Sequence, residues 1–315
     1  MLESHLKNNR LYIGDRFSIS FQRTLRIPDD DRIYPLPPGL GLFPIHEASN
    51  YPGKVPDEWL KRREVFLPMY QREALWLGFA AANWKPNAVK VCVGNINAIS
   101  GTLCDGSLSD NPQSYIICPN QLWLDGINAG EGFTRQFVAM PLGQGYTIEA
   151  QVTEDEIFGG IQISVFDPKP GRFPDKAPAV NQAMQAMIEP GMAMDVQGEM
   201  GIGAGGKVKQ KIYPDLYGID TWDESNFGYV FAHIVNTEQY REITGLEPPP
   251  TPISAQTYSQ HGFPWFDLYD EHLGDVAAPE SLTTITSINA ADSKGCAKAN
   301  QDGSINITDE QTKRV

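Results

Sequence analysis

Three stretches of this 315-residue chain set tryptophan beside carboxylates. Trp123 stands just ahead of Asp125, and Trp222 is followed directly by Asp223 and Glu224. Trp265 leads Phe266, Asp267, Tyr269, Asp270 and Glu271. The combination suits sugar chemistry. An indole face covers a pyranose ring, while carboxylates accept hydroxyl hydrogen bonds or do acid–base work. Cleavage needs two carboxylates at a set separation, which spacing along a chain does not supply. The plainer reading is that each tryptophan anchors a loop on the core while its acids face water. A carbohydrate-binding or carbohydrate-cleaving protein is the alternative function these residues suggest. Its ligand set is Trp123, Asp125, Trp222, Asp223, Glu224, Trp265, Asp267 and Asp270.

Other motifs fall short of a chemistry. The run Gly201-Ile202-Gly203-Ala204-Gly205-Gly206-Lys207-Val208 satisfies Gly-x-Gly-x-x-Gly. A phosphate loop needs Ser or Thr after the lysine to hold magnesium, and a helix beyond it to present its N-terminus. Val208 fills the first position, and the strand-like alternation that follows denies the second. The run reads as a flexible turn before a strand. Residues 300–309 resemble the ligand loop of an EF-hand, but Lys298 stands where the first carboxylate belongs. His261 and His272 flank Asp267 and Asp270 without a standard metal spacing. His233, inside an apolar run, reads as a satisfied core histidine. No Gly-x-Ser-x-Gly elbow is present. The expectation is no cofactor, no metal and no assigned catalytic residue.

A net charge of −14 disfavours nucleic acid and anionic membrane as partners, since both need a positive face. No apolar run reaches the length of a membrane span, and the first ten residues lack the apolar core of a secretory signal. Cys92, Cys104, Cys118 and Cys296 form no Cys-x-x-Cys pair and read as reduced thiols. Together these features predict a cytoplasmic, soluble, acidic protein.

The elements that must position these residues are short. Glycine (29) and proline (24) are frequent, which favours many brief strands joined by turns. Tyr146, Ile148, Ala150 and Val152 alternate with polar residues, and Ile161, Ile163 and Val165 do the same. The spacing predicts a meander of three consecutive antiparallel strands at 133–140, 146–152 and 161–166. In it Arg135 shares a face with Phe133, Phe137 and Ala139, so the guanidinium needs a buried carboxylate, with Glu149 first in line. Met69, Glu73, Trp76, Leu77 and Ala80 form a helical stripe behind Pro68. Strands are predicted at 17–21, 88–100 with a bend at Gly94, 115–118, 208–213 and 229–235, and a turn at 123–126. Helices are predicted after Asn181, from Asn236 to Gly245, and from Ser254 to Gln260. The chain divides into an irregular lead-in (1–40), a β-rich part holding the meander (41–175), a part packing on the same core (176–273) and a loosely packed acidic tail (274–315). The fold class is mainly β, an antiparallel β-sandwich with a few short peripheral helices.

Several segments look familiar together: Phe66-Leu67-Pro68-Met69-Tyr70-Gln71-Arg72-Glu73-Ala74-Leu75-Trp76, Ala88-Val89-Lys90-Val91 through Asn97-Ala98-Ile99-Ser100-Gly101, Arg135-Gln136-Phe137-Val138-Ala139-Met140-Pro141-Leu142-Gly143 and Gly218-Ile219-Asp220-Thr221-Trp222-Asp223. In this order they resemble a family of uncharacterised proteins of bacteria and fungi. The likeness covers residues 41–271 and implies no activity, cofactor or catalytic residue. The leading function is a non-enzymatic β-rich protein that binds an unknown ligand or assembles with itself as a homo-oligomer.

Overall fold

The computed structural model describes residues 1–61, 64–177, 199–251, 254–267, 272–294, 305 and 307–314. The chain is mainly β, with one extensive and largely antiparallel hydrogen-bond network and a few short helices. Its centre is the strand Ile161–Pro168, paired antiparallel with Asn87–Val93 on one side and Trp222–Val235 on the other. Ile161, Ile163 and Val165 lie opposite Val93, Val91 and Val89, and opposite Ala232, Val230 and Gly228. This face is apolar across three strands and turns inward, as period-two alternation requires. A second layer runs from Phe17–Thr24 to Ala74–Ala80, then Phe133–Pro141, then Glu199–Lys209. The layers join where Glu199 and Met200 pair with Val235 and Ile234. Phe21, Leu77, Phe137 and Ile202 from one layer and Val91, Ile163, Val230 and Leu67 from the other share one core. The result is a β-sandwich-like fold.

The predicted meander is not there. Residues 148–153 form a helix, Ile148–Thr153, whose N-cap Thr147 accepts a hydrogen bond from the Ala150 amide at 3.1 Å. Four alternating apolar residues do not exclude one helical turn and a half, and a good cap decides the matter locally. The strands on either side are not neighbours: Phe133–Pro141 pairs with Glu199–Lys209 in one layer, and Ile161–Pro168 pairs in the other. The helix predicted behind Pro68 is instead the strand Ala74–Ala80. Its apolar stripe is overridden by ladders on both edges, from Phe17–Thr24 and from Trp123–Leu124 with Phe137 and Val138. Gly78, poor in a helix, suits this strand, because a Cβ there would lie 2.8 Å from Ser20 Oγ. The predicted turn at 123–126 is two short strands, Trp123–Leu124 and Gly126–Gly130.

Local signals were more reliable. Gly94 and Asn95 both take positive φ, turning Asn87–Val93 into the short strand Ile96–Asn97. Asn236 caps Thr237–Thr244, and Gly245 ends it in the left-handed conformation. Ser254 caps Ala255–Gln260. The tail does not pack loosely where it is described: Leu282 and Ile285 enter the main core, and the Asp292 carboxylate is paired with Arg72 at 2.8 Å. The predicted helix after Asn181 lies outside the described residues, as do residues 300–304 and 306 of the EF-hand-like loop. The reduced-thiol reading is also corrected, since Cys92 and Cys104 are joined in a disulfide. The hairpin at Gly94 brings the chain back, and the Cys104 amide donates to Asn95 O at 2.8 Å. Cys118 is a buried free thiol.

Candidate functional site

The same alternation that buries Ile161, Ile163 and Val165 puts Gln162 and Ser164 on the outer face of the sheet. Gln162 sits between Cys92 and Phe231, and Ser164 between Lys90 and Tyr229. A cleft of about 840 Å³ opens over this floor. One wall is the loop at residues 104–106, and the other is residues 1–4, where the Leu2 amide donates to Phe227 O at 3.0 Å.

The loop wall is tied down from beneath. Lys90 Nζ donates to Asp105 Oδ1 at 2.7 Å, Asp105 O at 3.1 Å and Ser107 O at 2.6 Å. The Lys90 side chain is only 2% exposed, and its ammonium meets three oxygens there. The hydrogen bond from Lys90 in turn holds the Asp105 carboxyl below its usual range. The disulfide to Cys92 is the second tether. On the floor, Gln162 Oε1 accepts from the Asn95 amide at 3.0 Å, and its Nε2 donates to Gly159 O at 3.0 Å. Both ends of that amide are engaged, so its orientation is set before any ligand arrives. Phe227 and Tyr229 supply ring surface, and Tyr229 is 37% exposed. Glu3 and Asp105 supply carboxylates. The arrangement offers stacking and hydrogen bonding. Lys90, opposite Ser164 in register, is committed to Asp105 and Ser107 and is not poised as a base toward that hydroxyl.

The sequence-predicted residues are distributed elsewhere. Trp123 Nε1 does donate to Asp125 Oδ2 at 2.8 Å, but both side chains are buried away from the cleft. Burial pushes the Asp125 carboxyl up to about 7, with the Trp123 bond opposing. Trp222 donates to Asp215 at 2.9 Å rather than to its neighbour Asp223. Asp223 accepts from the Ser225 amide and hydroxyl, which hold it below its usual range. Glu224 accepts the Leu108 amide at 2.7 Å. Trp265 is fully buried, and Asp267 pairs with Lys209 at 3.0 Å. Asp270 lies outside the described residues. Trp123 and Trp265 share one apolar cluster, whereas Trp222 belongs to another, and among the described residues the carboxylates are taken up by different partners.

The remaining candidates resolve as structure. The glycine run is neither a turn nor a phosphate loop but the body of the strand Glu199–Lys209. Its glycines permit close approach: a Cβ on Gly205 would lie 2.7 Å from Val138 Cγ2, and one on Gly206 would lie 2.2 Å from Pro28 O. Arg135 does pair with a buried carboxylate, but the partner is Asp29 at 3.4 Å and not Glu149. Glu149 instead accepts the amides of Ile157, Phe158 and Gly159 at 2.9–3.1 Å. His233 stacks on Trp59 at 3.8 Å and contacts Glu64 at 2.7 Å. His261 and His272 are exposed, and among the described residues no three His, Cys, Asp or Glu side chains are placed to hold a metal. Sequence reasoning passed over Gln162, Ser164 and Tyr229. Gln162 and Ser164 were legible only as the polar half of the alternation at 161–165, and Tyr229 only as the start of the strand at 229–235.

Comparison with known protein families, with curated proteins and with solved structures finds no match.

Proposed function

We propose that this chain is a non-enzymatic binding protein, and that the cleft takes a small, neutral, polyhydroxylated molecule of the saccharide class. The observation that carries this reading is a pre-oriented amide, Gln162, with Ser164 next on the same strand face, beside the exposed ring of Tyr229. Saccharide sites combine these groups, a ring for the apolar sugar face and fixed polar atoms for its hydroxyls. Glu3 and Asp105 in the lining, with no Lys or Arg among the described lining residues, disfavour an anionic ligand. The net charge of −14 argues against nucleic acid, and no helix among the described residues is long and apolar enough to cross a membrane. Membership of the uncharacterised bacterial and fungal family is part of the same proposal and adds no activity to it.

A glycan array with wild type and Tyr229→Ala tests the reading. The expected result is a saccharide bound by wild type and lost, by roughly tenfold or more, in the variant, in keeping with one aromatic stacking contact. Absence of any glycan signal, or a signal indifferent to Tyr229→Ala, removes it. Homo-oligomerisation is the second reading, favoured by Ile157 and Phe158, adjacent and 70% and 52% exposed. Solution mass of wild type against Phe158→Ser tests that alternative. The cytoplasmic setting expected from the sequence sits poorly with the Cys92–Cys104 bond, because structural disulfides persist mainly in oxidising compartments.

A further inference from the structure

We infer that the Cys92–Cys104 bond is an exchange site for small thiols that enter the cleft, with Cys104 the sulfur attacked and Cys92 the leaving thiolate. The two cysteines differ in access. Cys92 is 0% exposed, in the strand Asn87–Val93 with paired strands on both sides. Cys104 is half-buried and lines the cleft. An incoming thiolate attacks the sulfur it can reach, so access selects Cys104.

The buried side is equipped for the charge that exchange leaves behind. Asn97 Nδ2 lies 4.0 Å from Cys92 Sγ and is held there by a second bond, to Ser114 O at 2.7 Å. Lys90, two residues before Cys92 on the same strand face, brings an ammonium to the same side of the sheet. A donor at the leaving sulfur, with a cation on the same face of the sheet, lowers the cost of a thiolate in a buried site. The steps balance. The small thiolate forms a bond to Cys104 Sγ, the S–S bond breaks, and its electron pair leaves on Cys92 Sγ. A second small thiolate then attacks the outer sulfur of the mixed disulfide and expels Cys104. The protein bond gains two electrons and two protons, and two small thiols become one disulfide.

Reduction loosens the wall without detaching it. Lys90 still binds Asp105 and Ser107, and the Cys104 amide still donates to Asn95 O. The inference therefore concerns residues 101–107 and leaves the sheet unchanged, and it holds whatever else the cleft binds.

The test uses the whole folded, oxidised chain and 2-mercaptoethanol, a small uncharged thiol, as the probe, quenched with an alkylating agent and mapped by peptide mass. The expected product carries the mercaptoethanol adduct on Cys104 and the alkyl group on Cys92, with buried Cys118 unlabelled. On full reduction, amide hydrogen exchange rises at residues 101–107 and stays unchanged along Ile161–Pro168. The adduct found mainly on Cys92, a bond that opens only together with Cys118 labelling, or a bond that stays closed in the folded protein each overturns the inference. The mapping needs no substitution, so misfolding of a variant does not blur it.

Discussion

Asp125 makes the stability of this protein depend on pH in an unusual direction. Its side chain is completely buried, Oδ2 accepts from Trp123 Nε1, and Oδ1 has no hydrogen-bond partner among the described residues. Burial raises the carboxyl from an ordinary 3.8 to about 7. The folded state therefore holds a proton that the unfolded state has lost between those values. Where the native state binds more protons, stability falls as pH rises. The contribution is fully present below about pH 4 and is lost as pH climbs through about 7. A gap of roughly three units at 1.36 kcal/mol each gives about 4 kcal/mol. Several carboxylates act in the opposite sense: Asp105, Asp223 and Asp292 are held below their ordinary range and stabilise the fold as pH rises. Their effect cancels when wild type is compared with Asp125→Asn at each pH, because asparagine keeps an acceptor for Trp123 and cannot ionise. Urea unfolding from pH 4 to pH 8 reads the difference. The variant is expected to gain on wild type by about 4 kcal/mol across that range, with the steepest change between pH 5 and 7. A difference that stays flat from pH 4 to pH 8 refutes the reasoning.

Further outcomes follow from the same contacts. Arg23 and Glu73 form an ion pair with side chains 1% and 2% exposed, so Arg23→Ala is expected to cost about 3–5 kcal/mol by leaving the glutamate unpaired. The double replacement Arg23→Met with Glu73→Leu should recover most of that loss in chemical denaturation, and a loss that persists would show the pair is not its source. Gly206→Ala forces a methyl against Pro28 O and is expected to cost about 1–3 kcal/mol, read as a lowered Tm. Arg135→Ala leaves Asp29, whose side chain is 3% exposed, without its ion-pair partner, and thermal melting should fall by the equivalent of about 2–3 kcal/mol. Tyr229→Ala should melt like wild type, since its ring is substantially exposed, and a large loss of stability would make Tyr229 a packing residue instead.

What was legible in the sequence is what neighbours along the chain decide. Asn236 and Gly245 bound a helix because a side-chain acceptor and a left-handed terminus act within a few residues. A break at Gly94 was legible because positive φ is cheap for glycine, although the chain reverses there into a hairpin and does not bend on as one strand to residue 100. Ile161, Ile163 and Val165 declare a strand with one apolar face, and the mainly β class follows from many such segments. The tertiary structure decided everything that depends on distant partners. Ala74–Ala80 carries a helical stripe, yet it is a strand because Phe17–Thr24 and residues beyond 120 offer it ladders on both edges. Arg135 announced a buried carboxylate, but Asp29, over a hundred positions away, supplies it. The cleft is the extreme case. Its floor comes from residues 162 and 164, its ring from 229 and its walls from 1–4 and 104–106. The Trp–carboxylate neighbours do not assemble into one site, because burial commits Trp123 and Trp265 to one apolar cluster and Trp222 to another, Asp125 is buried with Trp123, and Asp223, Glu224 and Asp267 are taken up by other partners.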